Sequence, residues 1–441
     1  MEHARGRKIN FSILTLGCKL NQYESELMRE KLENLGFKMV PLSPMTDLLV
    51  VNTCAVTRES ERKSRQLARR GKRLKRDMKV VVVGCSPQID HHQYLEFADS
   101  ILGNVEKKSI DEYVMDIMNG KKLILVGKEE ITLEDELHSF ENRTRVFLKI
   151  EDGCDGKCTY CIIRKARGER IRSKKSERVI REFENFLTQG VREVVLTGLN
   201  LGRYGKDTGE NLRDLIEKLM KIHGNFRIRL SSINPEDLSD DLIHLFEEKK
   251  LCKHLHLPIQ SGSDKVLRAM GRRYRICDIL EKVEKLRSLD SLFSLTTDVM
   301  IGFPGETDED FERTLDLIER VNFLKVHIFR FSPRPGTPAM KLHKLEGVDE
   351  GKVKERFKIL NEVSLRVRNE TVEKHVGRIR CVLVERMKDG RAVGFDEYYI
   401  PHEIDSNGSN LELNEFFKVR IGKVTRNGKV VSSRIADLPE R

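Results

Sequence analysis

The chain has 441 residues, 39% of them hydrophobic and 34% charged, with a formal net charge of +11. That length allows two or three domains with real cores, and the composition excludes a disordered chain. No apolar run reaches the roughly 18 residues of a membrane span, and the basic start MEHARGRKIN leads into no apolar segment of signal length, so a cytoplasmic protein without a membrane partner is expected.

In chain order, the first apolar runs of strand length are FSILTLG, DLLVVN and KVVVVG. Helical patterns lie between them, YESELMREKLENLG and the stretch from about Val56 to Asp77. This βαβ alternation predicts a parallel sheet covered by helices. Between Arg58 and Lys79, eleven of 22 positions are Lys or Arg and only three are acidic. Such density suits a polyanion, nucleic acid first, or else a solvated helix face. A polar linker, Lys128–Asn142, ends the segment.

From Arg145 the alternation repeats six times, with candidate strands VFLKIE, EVVLTG, RIRLSS, HLHLPIQ, LTTDVMIGF and KVHIFRF. Six βα units predict a partial barrel, with a doubly wound sheet as the alternative. From about Val376 the pattern changes to short strands around Lys-Asp-Gly and Asn-Gly turns, which predicts a small all-β barrel.

The nine cysteines of a chain expected in a reducing compartment point to metal ligation or catalysis where they cluster. Cys154-x3-Cys158-x2-Cys161 follows the first strand of the second segment. Three thiolates in so short a loop can hold three irons of a [4Fe–4S] cube and leave the fourth open. A structural zinc site wants four ligands, and no second pair lies nearby. Cys18, Cys54 and Cys85 are far apart in sequence, yet each ends or follows a predicted strand, so a parallel sheet would gather them at one edge. A second cluster with an open iron is expected there. Cys252, Cys277 and Cys381 have no spacing partner and read as structural thiols.

CxxxCxxC with Tyr160 before its last cysteine resembles the signature of radical S-adenosylmethionine enzymes. All six cysteines, with LTGLNLGRYG, SSINPEDL, HLHLPIQSGSDKVLRAMGRRY, DVMIGFPGET and FRFSPRPGTPA, resemble the methylthiotransferase family. The resemblance implies a multidomain α/β chain. Residues 1–140 would form an auxiliary-cluster domain on a parallel sheet, 141–373 a partial (β/α)6 radical barrel, and 374–441 a TRAM-like RNA-binding β-barrel. It implies two [4Fe–4S] clusters and S-adenosylmethionine, which together replace an aromatic C–H by C–S–CH3. Cys18, Cys54, Cys85, Cys154, Cys158 and Cys161 would be the ligands, with no catalytic residue beyond them. Tyr160, Thr197, Gly198, Ser232, Gln260 and Gly302 would adjoin S-adenosylmethionine, helix capping being the competing role of Ser232. Two departures stand out. Arg164 and Lys165 replace the family's proline and aromatic, and Asp396 and Glu397 put an acidic pair in the TRAM-like segment, where it would weaken phosphate contact.

Around the first cysteine, TLGCKLNQYESE resembles the branch that acts on threonylcarbamoyladenosine in tRNA, rather than on isopentenyladenosine or a ribosomal protein. Lys19 is either the partner of that substrate's carboxylate or a surface lysine. Arg69, Arg70 and Arg73 of the basic stretch, and Arg378, Arg380, Lys418, Arg420 and Lys423 of the last segment, would grip the tRNA anticodon stem-loop. A low-potential electron donor and a sulfur donor are the other expected partners. A non-catalytic tRNA-binding metalloprotein is the rival from a different class.

Overall fold

The computed structural model of the chain describes residues 8–127, 132–133, 135–140, 144–405, 411–426 and 428–434. Two compact units result: Met1–Glu141 with Lys149–Gly156 and Cys161–Arg178, and Asn142–Leu148 with Lys157–Tyr160 and Val179–Arg441. This division differs from the three expected segments. The first unit takes up both flanks of the CxxxCxxC loop, and the C-terminal strands share a unit with the central barrel. Of the expected linker, residues 128–131, 134, 141 and 142 lie outside the described residues, as does Asn427 of the Asn-Gly turn.

In the first unit, β1 (Asn10–Thr15), β2 (Lys38–Met39), β3 (Leu48–Thr53), β4 (Lys79–Gly84), β5 (Ser100–Leu102) and β6 (Ile124–Leu125) form one parallel sheet. Its order is β2-β1-β3-β4-β5-β6. The three expected strands are the centre of this sheet. The strands not foreseen are two or three residues long, too short to leave a pattern. Helices α1 (Lys19–Asn34), α2 (Arg58–Leu74), α3 (Cys85–Ile89) and α4 (Ile110–Met118) accompany them. The central strands are apolar throughout because both faces are covered. Leu48, Val50, Val81 and Val83 pack with Met28 of α1 and Val114 of α4, while Leu49, Val51, Val80 and Val82 pack with Ala68 of α2. A Cβ on Gly71 would lie 2.7 Å from Leu49 Cδ2, so α2 sits close on the sheet. Beyond β7 (Arg145–Lys149), the first unit gains β8 (Glu151–Asp152), α5 (Ile163–Arg167) and β9 (Arg172–Ser173), with β8 and β9 antiparallel.

The second unit places β10 (Glu193–Thr197) and β11 (Arg227–Leu230) in a sheet ordered β11-β10-β7. A second sheet runs β12 (His254–His256), β13 (Ser294–Ile301) and β14 (Lys325–Arg330). Parallel bridges Ile228–Leu251 and Ser232–His256 join them into one arc of six strands in sequence order. That order has no reversal, so the partial barrel holds and the doubly wound alternative does not. Helices α6 (Ser176–Thr188), α7 (Leu212–Met220), α8 (Asp240–His244), α9 (Asp264–Ala269), α10 (Ile276–Leu289) and α11 (Asp308–Val321) alternate with the strands, followed by α12 (Pro338–Glu346) and α13 (Glu350–Glu373).

The last strands, β15 (Ile379–Lys388), β16 (Arg391–Phe395), β17 (Pro401–Asp405), β18 (Phe416–Val424) and β19 (Val430–Arg434), close a barrel in the order β15-β16-β17-β19-β18. Asp389 and Gly390 take φ of 49° and 75°, the left-handed pair a two-residue hairpin needs. β17 was not foreseen, because PHEID is short, begins with proline and has one aliphatic residue, Ile404. Glu193 lies at the start of β10 and accepts from Arg227 Nε at 2.5 Å and Arg229 Nε at 2.7 Å. The same arginines donate to Cys381 O at 3.0 Å, Phe395 O at 2.9 Å and Asp396 O at 3.0 Å. The small barrel therefore seals the N-terminal strand ends of the large one.

This corrects the reading of the acidic pair. Asp396 is fully buried and accepts from the backbone N of Tyr398 (3.0 Å) and Ile400 (2.8 Å), and Glu397 Oε2 accepts from Cys381 N at 3.1 Å. These carboxylates fold a turn and do not face phosphate. Arg380, expected on the RNA face, is also turned inward and donates to His375 Nδ1 at 2.8 Å. Among the described residues no helix is long and apolar enough to cross a membrane.

Candidate functional site

The register of the first sheet pairs Thr15 with Asn52 and Thr53 with Gly84, so β1, β3 and β4 leave the sheet at nearly one level. Cys18, Cys54 and Cys85 follow there, at the carboxyl edge and across the point where strand order reverses, the usual place for a site in such sheets. Side chains fix the three ends to one another. Asn21 Nδ2 donates to Leu16 O (2.7 Å) and Thr53 O (2.8 Å), and Thr53 Oγ1 donates to Val83 O at 2.7 Å. Gly17, at φ +98°, lies so close that an added Cβ would fall 2.8 Å from Cys54 Cβ and 2.9 Å from its Sγ.

Cys18 is exposed as the N-cap of α1, and Cys54 and Cys85 are buried. Burial pushes the Cys54 thiol up to about 11, and Cys85 and Cys18 act on it in the same direction. A metal would reverse that shift by taking the thiolate. Among the described residues no three His, Cys, Asp or Glu side chains are gathered closely enough to share one ion. A cube instead takes one thiolate on each of three irons, and an all-sulfur donor set suits iron–sulfur chemistry.

The CxxxCxxC loop is anchored separately on each side. In the first unit, Gly153 takes φ +87°, and Gly156 N donates to Cys154 Sγ at 3.4 Å. After Cys161, Ile162 and Ala166 of the α5 region pack with Ala55 and Cys85. Arg164 pairs with Glu169 at 2.7 Å, so the departure from the family's proline is accommodated by a short helix. In the second unit, Thr159 N and Oγ1 donate to Met270 O and Ala269 O, each at 2.9 Å. Tyr160 accepts from Arg272 and stands edge-on to Phe303 with centroids 6.4 Å apart. The MGRR turn thus has a role its sequence did not announce, clamping residues 157–160.

At the carboxyl ends of the barrel strands, Thr197 Oγ1 and Ser231 Oγ are buried and have no hydrogen-bond partner. Orphan hydroxyls at strand ends fit a polar ligand such as S-adenosylmethionine. Ser231 was missed in favour of its neighbour Ser232, which is half-buried and bridges to His256. Gly198 is half-buried directly after Thr197. Gln260 holds φ +66°, donates from its N to Asp298 O (2.8 Å) and accepts from Met300 N (2.9 Å). A left-handed non-glycine residue is a strained one, held by its surroundings. Gly302 is explained by packing, since a Cβ there would lie 2.6 Å from Val353 Cγ2.

Lys19 is half-buried at the head of α1. Helix α2 buries Glu61, Ser64, Ala68 and Gly71 and exposes Arg69, Arg70 and Arg73. Its N-terminus follows the cysteine rim, but Arg73 lies fifteen residues beyond Arg58, about 22 Å along the axis. The three arginines are therefore at the far edge of the sheet from Cys54. Arg378 and Arg420 are exposed on the small barrel, the latter donating to Gly377 O at 2.9 Å. Cys252 is buried and Cys277 exposed.

A radical SAM superfamily model matches residues 148–318, and that of the uncharacterized protein family UPF0004 matches residues 10–103. The fold is similar to the radical S-adenosylmethionine methyltransferase TsrM of Kitasatospora setae. The TM-score is 0.57 at 14% identity, over 76% of this chain and 75% of that one. Partial barrel, cysteine loop and superfamily match together define a radical S-adenosylmethionine enzyme. Two curated relatives narrow this. The chain is 45% identical to the threonylcarbamoyladenosine tRNA methylthiotransferase MtaB of Thermotoga maritima, over 97% of each chain. It is 35% identical to a tRNA-2-methylthio-N(6)-dimethylallyladenosine synthase of Natranaerobius thermophilus, over 85% of this chain and 86% of that one. The chain belongs to the radical S-adenosylmethionine methylthiotransferase family.

Proposed function

We propose that this transferase converts N6-threonylcarbamoyladenosine, 3′ of the anticodon in tRNA, to its 2-methylthio derivative. The observation that carries the reading is the meeting, within one unit, of the cysteine rim and the segment after Cys161, where Ala55 and Cys85 pack with Ile162 and Ala166. Cys154, Cys158 and Cys161 hold one [4Fe–4S] cluster in this reading, and Cys18, Cys54 and Cys85 hold the other. When bound, the clusters and S-adenosylmethionine supply the carbon radical and the methylated sulfur.

The chain's own side chains bind and orient. Thr197 and Ser231 offer unbonded hydroxyls to S-adenosylmethionine, with Tyr160, Gly198, Ser232, Gln260 and Gly302 shaping the surroundings. Lys19, one residue from Cys18, is the cation for the substrate's carboxylate. Arg69, Arg70, Arg73 and the TRAM-like barrel with Arg378 and Arg420 meet phosphates of the anticodon stem-loop. A cytoplasmic low-potential electron donor and a sulfur donor complete the system. The functional division into 1–140, 141–373 and 374–441 follows from these roles rather than from compactness.

Nucleoside mass spectrometry of tRNA, from cells lacking the gene and from cells complemented with it, tests the reading. The 2-methylthio derivative of threonylcarbamoyladenosine should appear only on complementation, and not with Cys154→Ala or Cys85→Ala. Its absence from the complemented cells, or its appearance on a different nucleoside, would refute the assignment.

A further inference from the structure

Behind the cysteine rim lies a buried group of charges to which the proposed chemistry assigns no part. Glu24 of α1, only 5% exposed, accepts from Lys107 Nζ at 2.6 Å, Lys149 Nζ at 2.6 Å, and Arg167 Nη1 and Nη2 at 2.8 Å each. Asp152 takes Lys149 at 2.5 Å and Arg167 at 2.9 Å. Burial would raise the Glu24 carboxyl, but Arg167, Lys107 and Lys149 override it and hold the group well below the usual carboxylate range. Three cations thus meet two carboxylates, and one positive charge is left unbalanced within the network. Buried ion networks are weak contributors to stability, since apolar replacements often do as well or better. A surplus charge makes that account weaker still.

The geometry carries the surplus to the rim. Lys107 Nζ also donates to Asn104 Oδ1 at 2.9 Å. Asn104 Nδ2 reaches Ala166 O at 2.7 Å and Cys85 Sγ at 3.7 Å. The backbone N of Asn104 donates to Gln88 Oε1 at 2.9 Å. With Lys107 claiming the oxygen, the amide nitrogen must face Ala166 and the sulfur. A thiolate at Cys85, as a metal-bound cysteine is, would supply the missing anion.

We infer that Asn104, with the Lys107–Glu24–Arg167–Lys149–Asp152 network behind it, is a positioning group for Cys85 that makes the auxiliary iron–sulfur cluster easier to reduce. This rests on the reading that Cys18, Cys54 and Cys85 hold that cluster. An N–H donated to a ligand sulfur, and net positive charge in a low-dielectric interior, both favour the more negative, reduced state. Arg167 belongs to α5, so the same network ties the segment after the CxxxCxxC loop to the rim.

The test is an EPR-monitored redox titration of the full-length, anaerobically reconstituted protein. Cys154, Cys158 and Cys161 are replaced by Ala so that one cluster reports. Asn104→Asp keeps the acceptor for Lys107 and replaces the donor beside Cys85 with a carboxylate oxygen. Lys107→Met removes a network cation without touching the sulfur. Each should lower the reduced-to-oxidised ratio at fixed applied potential at least tenfold, a fall of about 59 mV for one electron. If only one variant loads iron, that one decides. An unchanged midpoint at full iron loading overturns the inference and leaves the cluster reading intact. Failure of both variants to load, while the parent does, makes these residues merely structural and also overturns it. A parent that binds no cluster overturns the cluster reading itself.

Discussion

Replacing Gly17 by alanine tests the cysteine rim with a single methyl group. Gly17 has φ +98°, and the new Cβ would stand 2.9 Å from Cys54 Sγ and 2.8 Å from its Cβ. Two costs follow, and they can be separated. The left-handed conformation costs a non-glycine residue about 1–2 kcal/mol. Relieving the contact to an ordinary separation of about 3.5 Å moves the sulfur by about 0.6 Å, three times the roughly 0.2 Å that a metal–ligand bond tolerates. Gly36 supplies the control, since it has φ +82° with nothing within 4 Å of an added Cβ. Gly36→Ala should lower stability slightly and keep about eight irons per chain. Gly17→Ala should drop to about four and lose methylthiolation, yet still cleave S-adenosylmethionine to 5′-deoxyadenosine. Iron and sulfide analysis with chromatographic assay of 5′-deoxyadenosine reads all of this. A Gly17→Ala protein with full iron and full methylthiolation would refute the claim that the rim is set by this close approach.

Three further outcomes are expected. Glu193→Gln keeps the shape of the seal but leaves Arg227 and Arg229 facing each other without a carboxylate, and should cost the second unit about 3–5 kcal/mol in a urea titration; a change under 1 kcal/mol would mean the barrel carbonyls alone satisfy the arginines. His375 accepts from Arg380 at Nδ1, and burial, then the Arg380 charge, lowers it to about 4. The unfolded chain therefore binds this proton more readily than the folded one. Stability is fully present above the unfolded value of about 6.5 and declines as pH falls toward 4, by up to about 3 kcal/mol, an effect that His375→Asn should flatten. Reversing Arg69, Arg70 and Arg73 to Glu should reduce the salt slope of tRNA binding by up to about three units, if each meets a phosphate, while sparing the iron content; unchanged slopes would make that helix face a solvated one.

Strand and helix order could be read from the apolar runs because both covered faces of β3 and β4 leave unbroken Val and Leu, and because the barrel repeats one βα pattern. The gathering of the three cysteines at one edge was legible for the same reason, each lying within three residues of the end of its strand. Asn104 and the Glu24 network were not. Their partners come from α1, from the turn before α4, and from β7, β8 and α5, and no spacing relates them. The seal was hidden too, since Asp396 and Glu397 look like surface acids until the barrel closes around them. The distance of Arg73 from the rim was implicit in helix geometry, but only the direction of α2 on the sheet makes it count.

The boundary between the two compact units runs through the CxxxCxxC loop, with Cys154 and Cys161 on one side and Cys158 on the other. During synthesis the N-terminal unit can form first. Until the chain past Val179 has folded, residues 157–160 lack Met270 and Ala269, the anchors that hold them. Two of the three sulfurs then have a framework and the third has none. In the proposed reading, insertion of the radical cluster therefore waits on completed synthesis, and a truncated chain would take up iron at the rim without generating a radical.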